Sequence, residues 1–146
     1  MYGKCYTGIY KPENPDKYDG NPTNIVYRSG LELKFFRYVD LNKNILKWGS
    51  ETIVVPYVGL DGKTHRYYID LWVRVKTKKG EIKECLCEIK PLEFTKPPKK
   101  QKRITKQWKF KYKQWLTNQS KWDSAKKFAK QKGWGWEILT ERDLKN

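Results

Sequence analysis

The chain reads as a single mixed α/β domain, one layer of sheet with helices packed on it. Three observations carry that expectation. A helix-spaced apolar pattern precedes the first extended segment. Turn signals at Asp61-Gly62 and around Gly80 then divide a long alternating stretch into hairpins, and a basic helical stretch followed by a short apolar strand closes the chain. A length of 146 residues suits one compact core that needs no staples.

Residues 1–22, rich in Tyr, Pro, Asn and Gly, read as an irregular arm lying over the domain or free, and residues 23–146 as the domain itself. After Asn21-Pro22-Thr23, the apolar residues Ile25, Leu31, Phe35, Tyr38 and Val39 recur at helical spacing up to Asp40-Leu41-Asn42, which predicts a first helix. From Ile45 the pattern turns extended, with Pro56 ending the pairing or marking an edge. Asp61-Gly62 predicts a hairpin into a strand from His65 to Lys76, with Ile69, Leu71, Val73 and Val75 on one face and Asp70, Trp72 and Arg74 on the other. Thr77-Lys78-Lys79-Gly80-Glu81 turns the chain into a third strand, Ile82–Lys90, where Glu84, Leu86, Glu88 and Lys90 share a face.

The prolines near Pro97 then break the pattern, and a helix follows with Ile104, Trp108, Tyr112 and Trp115 on one stripe, which places Trp108 and Trp115 in the core rather than against a nucleobase. A second helix, or the rest of the same one, runs from Trp122 to a C-cap at Gly133. A short strand, Trp136–Thr140, leads to a last turn opened by Thr140 and Asp143.

Composition narrows the class. Lys and Arg total 32 against 16 acids, a net charge of +16, which draws polyanions and makes nucleic acid the first partner to consider. Seven Trp and ten Tyr argue for a packed globule and against a disordered basic tail. No apolar run approaches the ~20 residues of a membrane span and no signal-peptide pattern opens the chain, so no membrane partner is expected and the cytoplasm is the expected compartment. Cys5, Cys85 and Cys87 with the lone His65 make a poor zinc set. Cys85 and Cys87 also sit too awkwardly on one strand face for a disulfide, so all three thiols read as small hydrophobes in a reducing compartment.

The chemistry-bearing residues are Asp70, Glu88 and Lys90. If their strands are neighbours, two carboxylates with a backbone carbonyl and waters would suit Mg²⁺, and Lys90 would stand ready to orient or deprotonate a water or to neutralise charge on a phosphate. Glu32 in the first helix would complete the site from the sheet edge. Each residue also has a plain structural use. Ser29 and Glu32 have the spacing of a capping box, Asp70 suits an ion pair on a solvated strand, and an acid and a base two apart often mark a solvent face or a cross-strand pair.

The order of these parts, a helical Glu, a strand Asp, then E-x-K and a helix, resembles the PD-(D/E)XK nuclease superfamily, whose core is αβββαβ. Ile69 stands where that superfamily usually has Pro. From about Tyr10 to Leu144 the chain also resembles the head completion nucleases of tailed phages, in the stretches YRSGLELKFFRYVDLN, LKWGSE, VPYVGLDGKTHRYYIDLWV and EIKP. More distantly it is similar to the endonuclease subunit of heteromeric transposases, in S-x-x-E, the strand Asp, E-x-K and GWGWEILTERDL. The resemblance implies a restriction-endonuclease-like fold with a mixed central sheet flanked by helices. It also implies Mg²⁺, or Mn²⁺ in its place, held by Asp70, Glu88 and Glu32, with Lys90 catalytic beside them. By the same resemblance, the protein hydrolyses double-stranded DNA with little sequence preference and processes packaged DNA so that head and tail can join. It would act in the host cytoplasm during assembly or in the virion head or neck, touching portal, neck or capsid proteins.

Between Phe94 and Trp122 stand ten cations, Lys96, Lys99, Lys100, Lys102, Arg103, Lys106, Lys109, Lys111, Lys113 and Lys121, and no acid. Such a segment reads as a phosphate-tracking surface or as a solvated lysine-rich face; unrelieved like charge, which destabilises a helix, favours the former. A different class stays open: a DNA-binding structural protein of the head or neck whose carboxylates no longer catalyse.

Overall fold

The computed structural model describes residues 7–144. Strand β1 (Gly8–Tyr10) pairs antiparallel with β2 (Ile25–Tyr27), and helix α1 (Gly30–Leu41) follows. The periodicity predicts this helix from Ile25. Instead Ile25-Val26-Tyr27, with two β-branched residues, pairs as a strand, and the helix begins where Ser29 caps it, the hydroxyl accepting from the Glu32 N–H at 3.1 Å. Tyr38, predicted on the apolar stripe, is 48% exposed, whereas Leu31, Phe35, Phe36 and Val39 are buried.

Next come β3 (Ile45–Gly49), β4 (Val54–Val58), β5 (Thr64–Tyr68), β6 (Leu71–Lys76), β7 (Ile82–Ile89), α2 (Lys106–Lys132) and β8 (Gly135–Leu139). β3, β6, β7 and β8 form one sheet in that order, antiparallel except for the parallel β7–β8 pair, and β4 and β5 form a separate ribbon. A parallel pair needs a long crossover, which α2 supplies. The succession α1, β3, β6, β7, α2, β8 is thus αβββαβ, a mixed α/β core with the ribbon inserted after its first strand. At the ribbon's tip Gly62 takes φ +77°, a conformation only glycine adopts without strain.

The predicted single strand from His65 to Lys76 is in fact two. The chain bends at Ile69-Asp70: the Ile69 N–H donates to the Ile53 carbonyl and the Ile69 carbonyl accepts from Glu51, after which Trp72 pairs with Gly49 in the main sheet. The bend sends Ile69 to the opposite face from Leu71. Ile69 packs with Val55, Tyr67, Trp72 and Leu86 under Trp122, Ala125 and Ala129 of α2. Leu71, Val73, Cys87 and Ile89 pack under Phe35, Phe36 and Val39 of α1. Opposite the bend Glu51 adopts φ +58°, uncommon for a residue with a side chain.

Tyr10 and Tyr18 of the amino-terminal segment enter the α1-side core. A fully buried carboxylate fastens this segment: Asp40 accepts from Tyr10 Oη at 2.6 Å, Glu13 N at 2.7 Å and Asn14 N at 3.1 Å. Helix α2 is one helix of 27 residues, capped by Thr105 and ended by Gly133 at φ +75°. Trp108 and Trp115, predicted in the core, are only half-buried and belong to neither core, because the first turns of α2 run past the sheet. Cys85 and Cys87 are free thiols with Sγ atoms 3.8 Å apart, and Cys5 lies outside the described residues. Among the described residues no helix is long and apolar enough to cross a membrane.

Candidate active site

The register of β6 on β7 pairs Leu71 with Cys87, so one step further Asp70 comes level with Glu88. The bend at Ile69-Asp70 turns the Asp70 carboxylate back over the end of β7, where its Oδ2 accepts from the Ile89 N–H at 2.9 Å. Glu88 is 5% exposed and tightly held: Oε1 accepts from Tyr67 Oη at 2.5 Å and Oε2 from Trp122 Nε1 at 3.2 Å. Lys90, two residues on and on the same face, brings Nζ to 3.9 Å from Glu88 Oε2 while remaining partly exposed. Its own backbone N–H is fixed by the Leu139 carbonyl of β8 at 2.9 Å.

Glu32 forms half of the capping box it resembles, its N–H donating to Ser29 Oγ at 3.1 Å, and its side chain borders this group. Its Oε1 accepts from the Arg28 N–H at 3.1 Å, and the charges of Glu51 and Glu88 reach it. Burial, then those neighbouring carboxylates, push Glu32 above the ordinary range against the pull of Arg28. Asp70 is pushed up much further: burial is the main cause, followed by the charge of Glu88 and a hydrogen bond shared with it, then by Glu32, and only the Ile89 N–H opposes. Acids crowded against their own repulsion mark a place where a cation would be welcome.

Among the described residues no three Asp, Glu, His or Cys side chains stand close enough to form a metal cage by themselves. The pair Asp70 and Glu88 therefore offers a partial, oxygen-only donor set of the kind a hard divalent cation completes with water. A cavity of about 530 Å³ lies at the opposite end of the sheet, against Tyr38, Asn44, Val75 and Thr77, and none of the four predicted residues lines it.

Tyr67, Trp122, Arg28 and Glu51 also belong to this neighbourhood without a site role predicted from the sequence, and so does Lys121, predicted only as one of the ten cations of the basic segment. Lys121 Nζ lies over the rings of Tyr57 and Tyr67 at 5.6 and 5.5 Å, and Arg28 pairs with Glu51. No short-range signal announces them, because Tyr67 and Trp122 are 21 and 34 residues from Glu88. The predicted phosphate-binding residues Lys96, Lys99, Lys100, Lys102, Arg103, Lys106, Lys109 and Lys113 are all exposed, on the loop before α2 and its first turns.

An αβββαβ fold with an acid pair and a lysine at the end of its central strands defines a nuclease-like domain. The comparisons agree. The family model described as TnsA-like endonuclease N terminal matches residues 42–141, a span that holds Asp70, Glu88 and Lys90 and begins after Glu32. Across nearly its whole length the chain is also similar to the head completion nuclease of Enterobacteria phage T4, 39% identical over 146 residues, covering 97% of this chain and 95% of that protein. The chain belongs to the TnsA-like endonuclease family and is a nuclease. No solved structure matches it.

Proposed function

We propose that this nuclease hydrolyses double-stranded DNA in a Mg²⁺-dependent reaction, Mn²⁺ substituting, with little sequence preference. The observation that carries this reading is the Asp70–Glu88 pair at the end of β7 with Lys90 Nζ 3.9 Å from Glu88. Asp70 and Glu88 would hold the cation directly, and Glu32 from the border of the site. When bound, the cation polarises the scissile phosphate and lowers the pKa of a coordinated water. The chain's own residues do the rest. Tyr67 and Trp122 fix both oxygens of Glu88, the Ile89 N–H fixes Asp70, and Lys90 presents an ammonium group that orients the water or neutralises charge building on the phosphate. The exposed cations from Lys96 to Lys113 contact phosphates, which positions a duplex without reading its bases.

The likeness to the T4 head completion nuclease supports a place in phage assembly: trimming packaged DNA at the filled head so that head and tail join, in the host cytoplasm or on the head or neck, in contact with portal, neck or capsid proteins. The test is plasmid digestion by purified protein. With Mg²⁺ the wild type should cut supercoiled plasmid, and Glu88→Ala and Lys90→Ala proteins should bind it in Ca²⁺ without cutting it in Mg²⁺. Binding with no cutting by the wild type would favour a structural DNA-binding role in head or neck. A linear plasmid with blocked ends separates internal cutting from digestion at ends.

A further inference from the structure

The first turns of α2 stand clear of the body. From Lys106 to Gln114 every residue is exposed except the half-buried Trp108. This free end is not built like an ordinary solvated helix end, for it carries WKFKYKQW, residues 108–115, in which large rings are interleaved with lysines. Phe110 is 62% exposed and Tyr112 38%. Trp108 and Tyr112 lie face to face, centroids 5.2 Å apart and planes 9° from parallel, and Trp115 leans on Tyr112 at 6.0 Å. The Trp108 ring is held in place by its Nε1, which donates to the Lys99 carbonyl at 2.8 Å.

Two requirements narrow what such a surface binds. The whole stretch from Phe94 to Trp122 contains no acid, so its occupant is strongly anionic. Exposed rings gain little from an intact duplex, whose bases are stacked inside and whose surface is phosphate, but they gain much from unpaired bases, each of which has a π-face to offer. An unpaired DNA strand satisfies both. The helix also sets the reach. Trp122 of the same helix donates to Glu88, and the 14 residues from Trp108 to Trp122 span about 21 Å at ~1.5 Å per residue. That leaves room for at most about six nucleotides, at the ~3.4 Å spacing of a fully stacked strand.

We propose that the projecting end of α2 is a stacking platform for an unpaired DNA strand, with bases against the Trp108–Tyr112 face, which continues to Trp115, and phosphates on the lysines that flank it; Phe110 lies on the opposite side of the helix. The enzyme accordingly prefers DNA ends or gaps with a single-stranded stretch of up to about six nucleotides over intact duplex. This rests on the DNA-nuclease reading above, and the test keeps the two apart. Anisotropy in Ca²⁺ compares a blunt labelled duplex with the same duplex bearing overhangs of two, four, six and ten thymidines. Affinity should rise with overhang length, by about tenfold or more in all, and level off near six. A Tyr112→Leu variant should lose most of this gain while binding blunt duplex within about twofold of wild type, since a single surface change of this kind leaves the phosphate contacts in place, whereas Phe110→Leu, on the opposite side of the helix, should keep it. Circular dichroism checks that α2 persists, and Trp108→Phe should retain most of the gain because it keeps a ring.

Equal affinity for blunt and overhanging DNA would overturn the proposal. So would a Tyr112→Leu protein that weakens both substrates alike, or one that keeps the full overhang gain. If the overhang gain is present and ring-dependent but neither DNA is cut in Mg²⁺, the platform stands and the hydrolytic reading falls.

Discussion

Replacing Tyr67 with phenylalanine removes one oxygen from the interior and tests whether Glu88 has to be held. Tyr67 and Glu88 are each 5% exposed, and the phenol donates to Oε1 at 2.5 Å. Burial and the charge of Glu88 keep the phenol's proton on, so it acts as a donor at every pH at which the protein folds. A buried hydrogen bond to a charged group contributes ~1.5–3 kcal/mol, and in Tyr67→Phe the orphaned oxygen has no substitute donor, since Trp122 already serves Oε2 at 3.2 Å. At ~2–4 °C per kcal/mol for a chain of this size, melting should fall by roughly 3–12 °C. Loosening a carboxylate that orients a ligand atom typically costs about 10–100-fold in metal affinity or rate. The assay is plasmid nicking against Mg²⁺ concentration, beside thermal melts in EDTA. Tyr57→Phe is the control: its ring also lies under Lys121, at 5.6 Å, yet its hydroxyl makes no bond to Glu88. A Tyr67→Phe protein that melts with the wild type and needs no more Mg²⁺ would refute the reasoning.

Asp70→Asn should stabilise the metal-free protein above the ordinary Asp range. The folded pKa lies above the unfolded value of 3.8, so the native state keeps a proton that the unfolded chain loses, and stability falls as pH rises through that window. Urea melts in EDTA should show no difference near pH 3 and a variant advantage that grows as pH rises above the ordinary Asp range; equal stability at pH 8 would mean that the acids are not crowded. Asp40→Ala should strand the Tyr10 hydroxyl and the Glu13 and Asn14 N–H groups, costing ~3 kcal/mol or more and loosening the amino-terminal segment to proteolysis, while the cleavage rate of the protein that remains folded stays the same. Reversing the charge of Lys99, Lys100, Lys102 and Arg103 should weaken duplex binding and flatten its salt dependence by about 0.9 in log–log slope per lost phosphate contact, whereas Lys90→Ala should leave affinity alone and slow cutting ~100-fold. A Lys90→Ala protein that cuts at the wild-type rate would make the glutamate and lysine of β7 an ordinary ion pair.

The sequence is most legible where periodicity and turn chemistry agree. Asp61-Gly62 and Gly80 mark their turns, Ser29 and Thr140 their caps, and alternation in β7 puts Glu88 and Lys90 on one face. It is least legible where a tertiary contact overrides a local pattern. Ile25 fits a helical stripe but finds a strand partner in Tyr10, a long-range pairing that no window of residues contains. The alternation through Ile69, Leu71 and Val73 suggests an unbroken strand, because a bend that keeps every apolar residue buried, only under a different helix, leaves no mark on the pattern. Trp108 and Trp115 keep core spacing on a helix that has outrun its sheet, and spacing carries no information about where the partner stops.

That bend is also where the energetics of the site are decided. Had the His65–Lys76 run stayed a straight strand, the ribbon would continue the main sheet and the Tyr67 hydroxyl would have no reason to meet Glu88. The break at Ile69-Asp70, opposite a Glu51 held at φ +58°, folds the ribbon over toward α2 and brings Tyr67 to one oxygen of Glu88 and Asp70 beside it. Two costs gather at this point, a strained backbone and acids pressed together, each about 1 kcal/mol or more in proteins generally. Neither stabilises the apo fold. They persist because the ribbon is clamped on both sides of the break, by Val55, Tyr67 and Ile69 against α2 and by Leu71 and Val73 against α1. The two cores fix the geometry whatever the local cost, so the carboxylates stay together despite their repulsion.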